Sequence, residues 1–498
     1  MPRKFEQIRR CVPSCTIILS AVYVLCLAPV TQAGRRKDEM VTWATFQFVR
    51  SVGASISHAY FATTDGIVRY NKLERRWEDP LTGAEGLDQS LVRRIWPSRF
   101  DDHLYAQIDL GYAEYDMFFD RWYLRNDLPP LDTVYRQISV PINLIPPVNF
   151  NFFTSGSMTD MAGRTISLTG VAEDNTGDLW IGTWGFGPAC TRGGSRVIEF
   201  LSCGLLNKRV DAILPIDSQL CLAGALTVDS RAGITTFDPV SGGSTYIEGG
   251  VLPGFPAIDI SALEVDSIRL FAGTPFGLLV IDRARGQVLR TIDRRAGLAD
   301  DSVICLKFIS DSLFVGTAAG LSLFRNDTIR TIAPRTFGKC RIFDLEPQGN
   351  NLWIASDYGA FRLDRATGEI ARFSDPGQFT AGRVYDIAAA GRFLWMSADN
   401  GLLKINLKTA QTEPLRLSLL PNIRRPLAVN GQIAAVAGDH GLVLFHHDRA
   451  RAISREFTTD DGLPSDLIRS LYLDGDYLWI GSDGGLTRFL WNNPDRVD

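Results

Sequence analysis

Short runs in which apolar and polar residues alternate recur along almost the whole chain, and turn-forming residues separate them every eight to twelve positions or so. Leu467-Ile468-Arg469-Ser470-Leu471-Tyr472-Leu473 is one such run. The turn Asp474-Gly475-Asp476 follows it, then Leu478-Trp479-Ile480-Gly481, then a second turn rich in Gly. A third run, of the kind seen at Leu402-Leu403-Lys404-Ile405, comes next. A more polar fourth, as in Ile370-Ala371-Arg372-Phe373, closes the unit. A period of two puts successive side chains on opposite faces of a strand, so the pattern predicts units of four short antiparallel strands.

The unit repeats. Leu478-Trp479-Ile480-Gly481-Ser482-Asp483-Gly484-Gly485-Leu486 has close relatives beginning at Leu179, Leu270, Leu313, Leu352 and Leu394, and weaker ones at Ala59, Leu104, Leu220 and Ala434. Ten copies lie roughly 40–50 residues apart, save one interval of about 75, which is the spacing of four-stranded propeller blades. The fold expected is all-β, a β-propeller of about ten blades. The second motif position is aromatic in eight copies (Tyr60, Tyr105, Trp180, Phe271, Phe314, Trp353, Trp395 and Trp479), a stripe best explained by packing between neighbouring sheets. The recurring Gly before the third strand, for example Gly277 and Gly485, suits a hairpin that needs positive φ. The last unit stops after its third strand, and Met40–Phe46 offers the missing fourth, with Trp43 in the place of Trp77 and Trp122. Closure by that strand would remove two sheet edges. It favours one circle of ten blades over the alternatives of fewer blades or two smaller rings.

In a propeller the loop between strands two and three shares a side with the link to the next unit. That loop-rich face is expected to carry Trp184, Phe186, Phe276, Tyr358, Asp399 and His440, which are the candidate ligand- or partner-binding residues. The same side receives the large insertion at about 131–165, whose apolar, aromatic stretch Leu144–Phe153 argues for a cap or a contact surface.

Composition changes this picture little. Among 498 residues, 45% are hydrophobic and 22% charged, ordinary globular values. The formal net charge is −4, and the leader's Arg3, Lys4, Arg9 and Arg10 make the remainder more acidic still, so nucleic acid is not an expected partner. Residues 1–33 read as a signal peptide: the basic start, the apolar run Thr16–Val30 and the small-residue site Thr31-Gln32-Ala33. Residues 34–498 then form the propeller, periplasmic or secreted. An uncleaved leader would instead anchor it to a membrane. The five cysteines of the body, Cys190, Cys203, Cys221, Cys305 and Cys340, are odd in number and form no CxxC pair. Asp174-Asn175-Thr176-Gly177-Asp178 resembles a calcium loop but lacks the distal Glu and sits at a hairpin turn. His446 and His447 point to opposite strand faces and cannot easily share one metal. No catalytic residue, metal site or cofactor is assigned, because the chain contains no nucleophile elbow, zinc helix, phosphate loop or dinucleotide fingerprint.

The Leu-Trp-Ile-Gly-Thr/Ser core, the Gly-Leu after it and the link Thr459-Asp460-Asp461-Gly462-Leu463-Pro464-Ser465-Asp466-Leu467-Ile468 resemble the two-component regulator propeller repeat. Partial copies of the link stand at Glu85-Gly86-Leu87-Asp88 and Ala296-Gly297-Leu298-Ala299-Asp300-Asp301. The resemblance covers Val41 to Leu490. It implies the periplasmic ligand-sensing propeller of membrane histidine kinases, of which only the propeller part is present in this sequence. The reading that follows is an exported, non-catalytic propeller that binds a small ligand or an envelope protein through its loop-rich face. The alternative is an extracytoplasmic carbohydrate-active hydrolase or lyase with paired carboxylates at the central mouth.

Overall fold

The computed structural model describes residues 40–82 and 91–493, apart from short stretches at 102, 110, 129, 131–132, 136, 142, 155, 228–230, 252–253, 376, 400, 417–425, 439–440 and 448–452. Ten antiparallel sheets account for nearly all of its regular structure. They are numbered here as blades 1 to 10: residues 49–77, 94–125, 150–200, 212–248, 262–292, 303–332, 342–372, 384–416, 427–457 and 468–490. Nine have four strands. Blade 3 has six, because the hairpin Phe150–Thr154/Ser157–Asp160 adds itself to the inner side of Thr165–Glu173.

Blade 10 is completed by the N-terminal strand, as the sequence suggested. Met40–Trp43 pairs antiparallel with Gly485–Leu490 (Met40 opposite Phe489, Trp43 opposite Leu486), and the Thr42 and Thr487 hydroxyls bond at 2.8 Å. Trp43 is 3% exposed and packs on Phe237 and Trp479, with ring centroids 5.0 and 5.9 Å away. The hairpin glycines have the positive φ that the pattern demanded: Gly485 has φ 140°, and a Cβ there would lie 2.4 Å from the Trp43 carbonyl oxygen.

The single circle of ten does not form, nor do two smaller rings: one ring of fewer blades closes and three blades stand apart from it. Blades 4 to 10 pack in chain order, and blade 10 then packs against blade 4, so the ring closes with seven. The seam is direct: Ser470 Oγ donates to the Val210 carbonyl at 2.9 Å, and Val210 N–H donates to the Ser482 carbonyl at 3.0 Å. Blades 1, 2 and 3 form a separate trio, in which blade 3 packs on blade 1 and blade 1 on blade 2. One repeated device sets each contact. The fourth motif residue is small, and the next blade's inner strand leans into the space: Gly182 against Val49 and Val52, Gly273 against Val303, Gly316 against Ile342, and Gly481 against Val210.

The trio sits on the ring through a shared apolar core around Trp43, Phe46, Phe61, Trp180, Phe237 and Trp479. Polar contacts border it. Gln47 donates to the carbonyls of Leu205 and Leu206, Lys208 pairs with Asp65, and Arg488 pairs with Asp79. The insertion covers the outer flank of blade 3, where Leu144, Val140, Phe150 and Phe152 pack over Val171, Ile181 and Ala189. It therefore caps one flank of the trio.

Seven of the eight second-position aromatics are at most 6% exposed, which confirms them as packing between blades. Tyr105, on blade 2, is half-exposed. The link motif and its partial copy at Ala296–Asp301 also share a structure, while the copy at Glu85–Asp88 lies outside the described residues. Arg294–Ala296 and Thr459–Asp461 are 3-10 turns capped by Asp293 and Thr458, each ending on a left-handed Gly, and Asp301 and Asp466 accept the backbone N–H of Arg294 and Thr459 at 2.7 Å.

Candidate functional site

The side chains of the loop-rich face are positioned by a small lock that the sequence reading overlooked. The fifth motif residue is Thr or Ser in most copies. Its hydroxyl donates to the carbonyl of the turn glycine and accepts the N–H of the residue at the turn's tip. For Thr274 the partners are Gly277 (2.7 Å) and Phe276 (3.1 Å); for Ser356 they are Gly359 (2.7 Å) and Tyr358 (3.2 Å). Thr317 and Ser482 repeat the arrangement. The recurring Thr/Ser was the available signal. Its effect is that the tip residue stands on a rigid hairpin whatever its identity.

Two of the sequence-predicted residues use this platform. Phe276 is 68% exposed and Tyr358 54% exposed, both on the loop-rich side of the ring, on blades 5 and 7. Phe276 also walls a cleft of about 470 Å³, with Phe255, Ile258, Leu279, Thr274 and Thr291. The cleft lies between blade 5 and the link from blade 4. It is largely apolar, with hydroxyls on one wall, the composition of a small-ligand or side-chain pocket.

The remaining candidates are placed differently. Asp399, on blade 8, is a tether: one carboxylate oxygen accepts the Arg383 N–H at 3.0 Å and the other the Tyr385 hydroxyl at 2.7 Å. Asp357 and Asp483, at the same motif position, also hold the start of the inner strand, through the Arg341 N–H and the Arg469 guanidinium. Trp184 and Phe186 belong to blade 3 and not to the ring. Trp184 is 40% exposed and meets Phe48 edge-on at 5.1 Å. Phe186 lies between the guanidinium groups of Arg164 and Arg231, at 4.8 and 4.6 Å, where trio and ring meet. Both arginines pair with Glu248 of blade 4. His440 lies outside the described residues.

Nearer the axis, the inner strands carry carboxyl groups that act between blades. Glu264 accepts the Phe308 N–H (3.2 Å), Asp344 that of Ile387 (3.1 Å), Glu346 that of Ala389 (3.1 Å) and Asp386 that of Leu427 (3.0 Å). Burial is the main cause that pushes Glu346 up to about 7, and it also raises Glu264 and, with Asp344 beside it, Asp386. These groups clamp each blade to the next. The Asp174 loop is likewise occupied by its own surroundings. Its carboxylate accepts from Thr176, Asp178, Trp180 and Lys72, and these bonds outweigh the burial and hold it down at about 2. The five body cysteines are buried and unpaired with one another.

Neither a family model nor any curated protein matches this chain. Solved structures similar in fold include PorZ, a surface component of the type-IX secretion system of Porphyromonas gingivalis. It is 16% identical, with 90% of this chain and 69% of that one covered and a TM-score of 0.48. The extracellular domain of the one-component system BT4673 from B. thetaiotaomicron is 13% identical, over 90% and 71% of the two chains, with a TM-score of 0.43. BamB from Moraxella catarrhalis is 14% identical, over 73% and 98%, with a TM-score of 0.39. Among the described residues no helix is long and apolar enough to cross a membrane. The ten sheets and the closed ring of seven make this chain a multi-blade β-propeller, and solved extracellular domains of hybrid two-component systems are among the structures it is similar to.

Proposed function

We propose that this chain is an exported, non-catalytic propeller that binds a small ligand or an envelope protein through the loop-rich face of its seven-bladed ring, as a sensor-type module. The observation that carries this reading is the pair of locked hairpins that hold Phe276 and Tyr358 exposed on one side, with Phe276 walling an apolar cleft. Large aromatic side chains kept in water on rigid turns contribute nothing to the ring's own packing and fit a recognition role. The carboxylates nearest the axis already serve as interblade clamps, so the binding reading is preferred to the hydrolase one. The test is co-purification from the cell envelope with the Phe276→Ala/Tyr358→Ala double variant beside the wild type. The expected result is loss of the co-purifying ligand or protein at an unchanged melting temperature. Undiminished capture would sink the assignment of the face.

A further inference from the structure

Blade 2 is the end of the trio, and no neighbouring sheet stacks on its outward flank among the described residues. The burial pattern makes this plain. His103–Ile108 reads half-buried, buried, half-buried in strict alternation, and the half-buried positions all lie on that flank. The strand register then fixes what the flank displays. Trp96, Tyr105, Glu114 and Tyr123 stand opposite one another in a row across the four strands. Arg94 and Arg125 lie at one end of this row. His103, Asp116 and Arg121 lie at the other, with Asp101 just beyond them; the His103 imidazole is 2.8 Å from Glu114 of the row, 3.5 Å from Asp116 and 3.7 Å from Asp101, and Arg125 also pairs with Glu114.

In the rest of the molecule the flank equivalent to this one is covered by the next blade, and a small residue at the fourth motif position makes room. Blade 2 has Gln107 there, half-exposed, and so is not shaped to receive a further inner strand. The flank nonetheless has the makeup of a recognition surface. It is aromatic at its centre, carries Arg and mixed polar groups around it, and is bordered by the exposed rings of Phe118 (88%) and Phe119 (62%).

We propose that the outward flank of blade 2 is a self-association surface whose occupant is a second copy of this chain. Two features select a copy. Arg94 is exposed in a row that holds no acidic residue (Gln107, Tyr112, Arg125), while Asp101 and Asp116 outnumber Arg121 at the far end, so a twofold axis along the aromatic row sets Arg94 of one copy over Asp101 of the other, twice. The size also fits. Four strands about 4.8 Å apart and five residues about 3.3 Å long give a flank of roughly 15–20 Å each way. With its rim, two such flanks bury on the order of 1,000 Å² in total, the lower end for a specific interface and the range of a reversible dimer.

The test is sedimentation without added ligand: full-length protein is followed by analytical ultracentrifugation from about 1 to 100 μM, a range that brackets weak dimers. The expected result is a monomer–dimer equilibrium that weakens with salt, and at least tenfold with Tyr105→Ala, Arg94→Glu or Asp101→Arg, at unchanged melting temperature. An equimolar mixture of the Arg94→Glu and Asp101→Arg proteins should recover the wild-type dimer, because each copy then supplies the charge that the other needs. Monomer at all concentrations overturns the proposal. So does a dimer that these substitutions leave intact, or a charge-reversed pair that does not recover on mixing.

Discussion

Blades 4 to 10 and blades 1 to 3 are built from one motif, yet the first group closes into a ring and the second stays open. In the ring every flank meets another flank, and the last gap is filled by a strand from the far end of the chain. In the trio, blade 3 is covered by the insertion and blade 2 is left with an aromatic, charged flank. The difference lies in a few side chains. Gly273, Gly316 and Gly481 let the next inner strand approach, whereas Gln107 occupies the same place in blade 2. The motif makes a blade; the residue at its fourth position decides whether another blade can follow.

The largest expected effect comes from undoing the ring's closure. A protein beginning at Ala44, which lacks the closing strand Met40–Trp43, should aggregate or melt far below one beginning at Gly34, and Trp43→Ala alone should cost about 3–5 kcal/mol in chemical denaturation. Equal stability of the two lengths would mean that the N-terminal strand does not hold the ring. Next is the seam between blades 10 and 4. A Cβ on Gly481 would lie 2.6 Å from the Val210 carbonyl oxygen, so Gly481→Ala should destabilise by about 1–3 kcal/mol.

Carboxyls raised by burial belong to the ring, whereas lowered ones occur in both regions, Asp266 and Asp375 of the ring among them, so it is the response to rising pH that separates the two. The axial Glu346 titrates at about 7, above the ordinary carboxyl value, so its neutral form belongs to the fold. Its contribution is complete below the unfolded-state pKa and is lost as pH rises through 7. Glu264 and Asp386 shift the same way. In the trio, Asp174 and Glu78 are held at about 2 by hydrogen bonds and by Lys72, His58 and Arg69, despite their burial. Their contribution is present above the ordinary carboxyl range and is lost as pH falls toward 2. Urea midpoints should therefore decline from pH 5.5 to pH 8, less steeply in Glu346→Gln, and decline again below pH 4, less steeply in Asp174→Asn. Unaltered slopes in both variants would remove these groups from the account. The smallest effect is a control: Gln107→Ala, at the position equivalent to Gly481, should change stability by no more than about 0.5 kcal/mol.

Much of this architecture was legible in the chain. Ten motifs became ten sheets, the hairpin glycines took positive φ, and Trp43 found its place on blade 10. The seven-plus-three grouping was not read, because motif spacing reports what lies within a blade and not which blade stands beside it. Gln107 and the wide interval before blade 3 were its traces. The same limit explains Asp399 and Phe186. Their partners, the start of an inner strand for one and Arg164 and Arg231 for the other, are chosen by the folded chain, and nothing local to either residue announces them.

The contact between Thr42 and Thr487 joins residues 445 positions apart. At a synthesis rate of roughly 5–20 residues per second, the first of them exists for about 20–90 seconds before the second is made. Throughout that interval Met40–Trp43 has backbone groups and an indole ready for a sheet edge that has not been built, while blades 4 to 9 already expose edges of the same kind. The strand made first is thus the one used last, and whatever shields it during that wait determines how much of the chain reaches a closed ring.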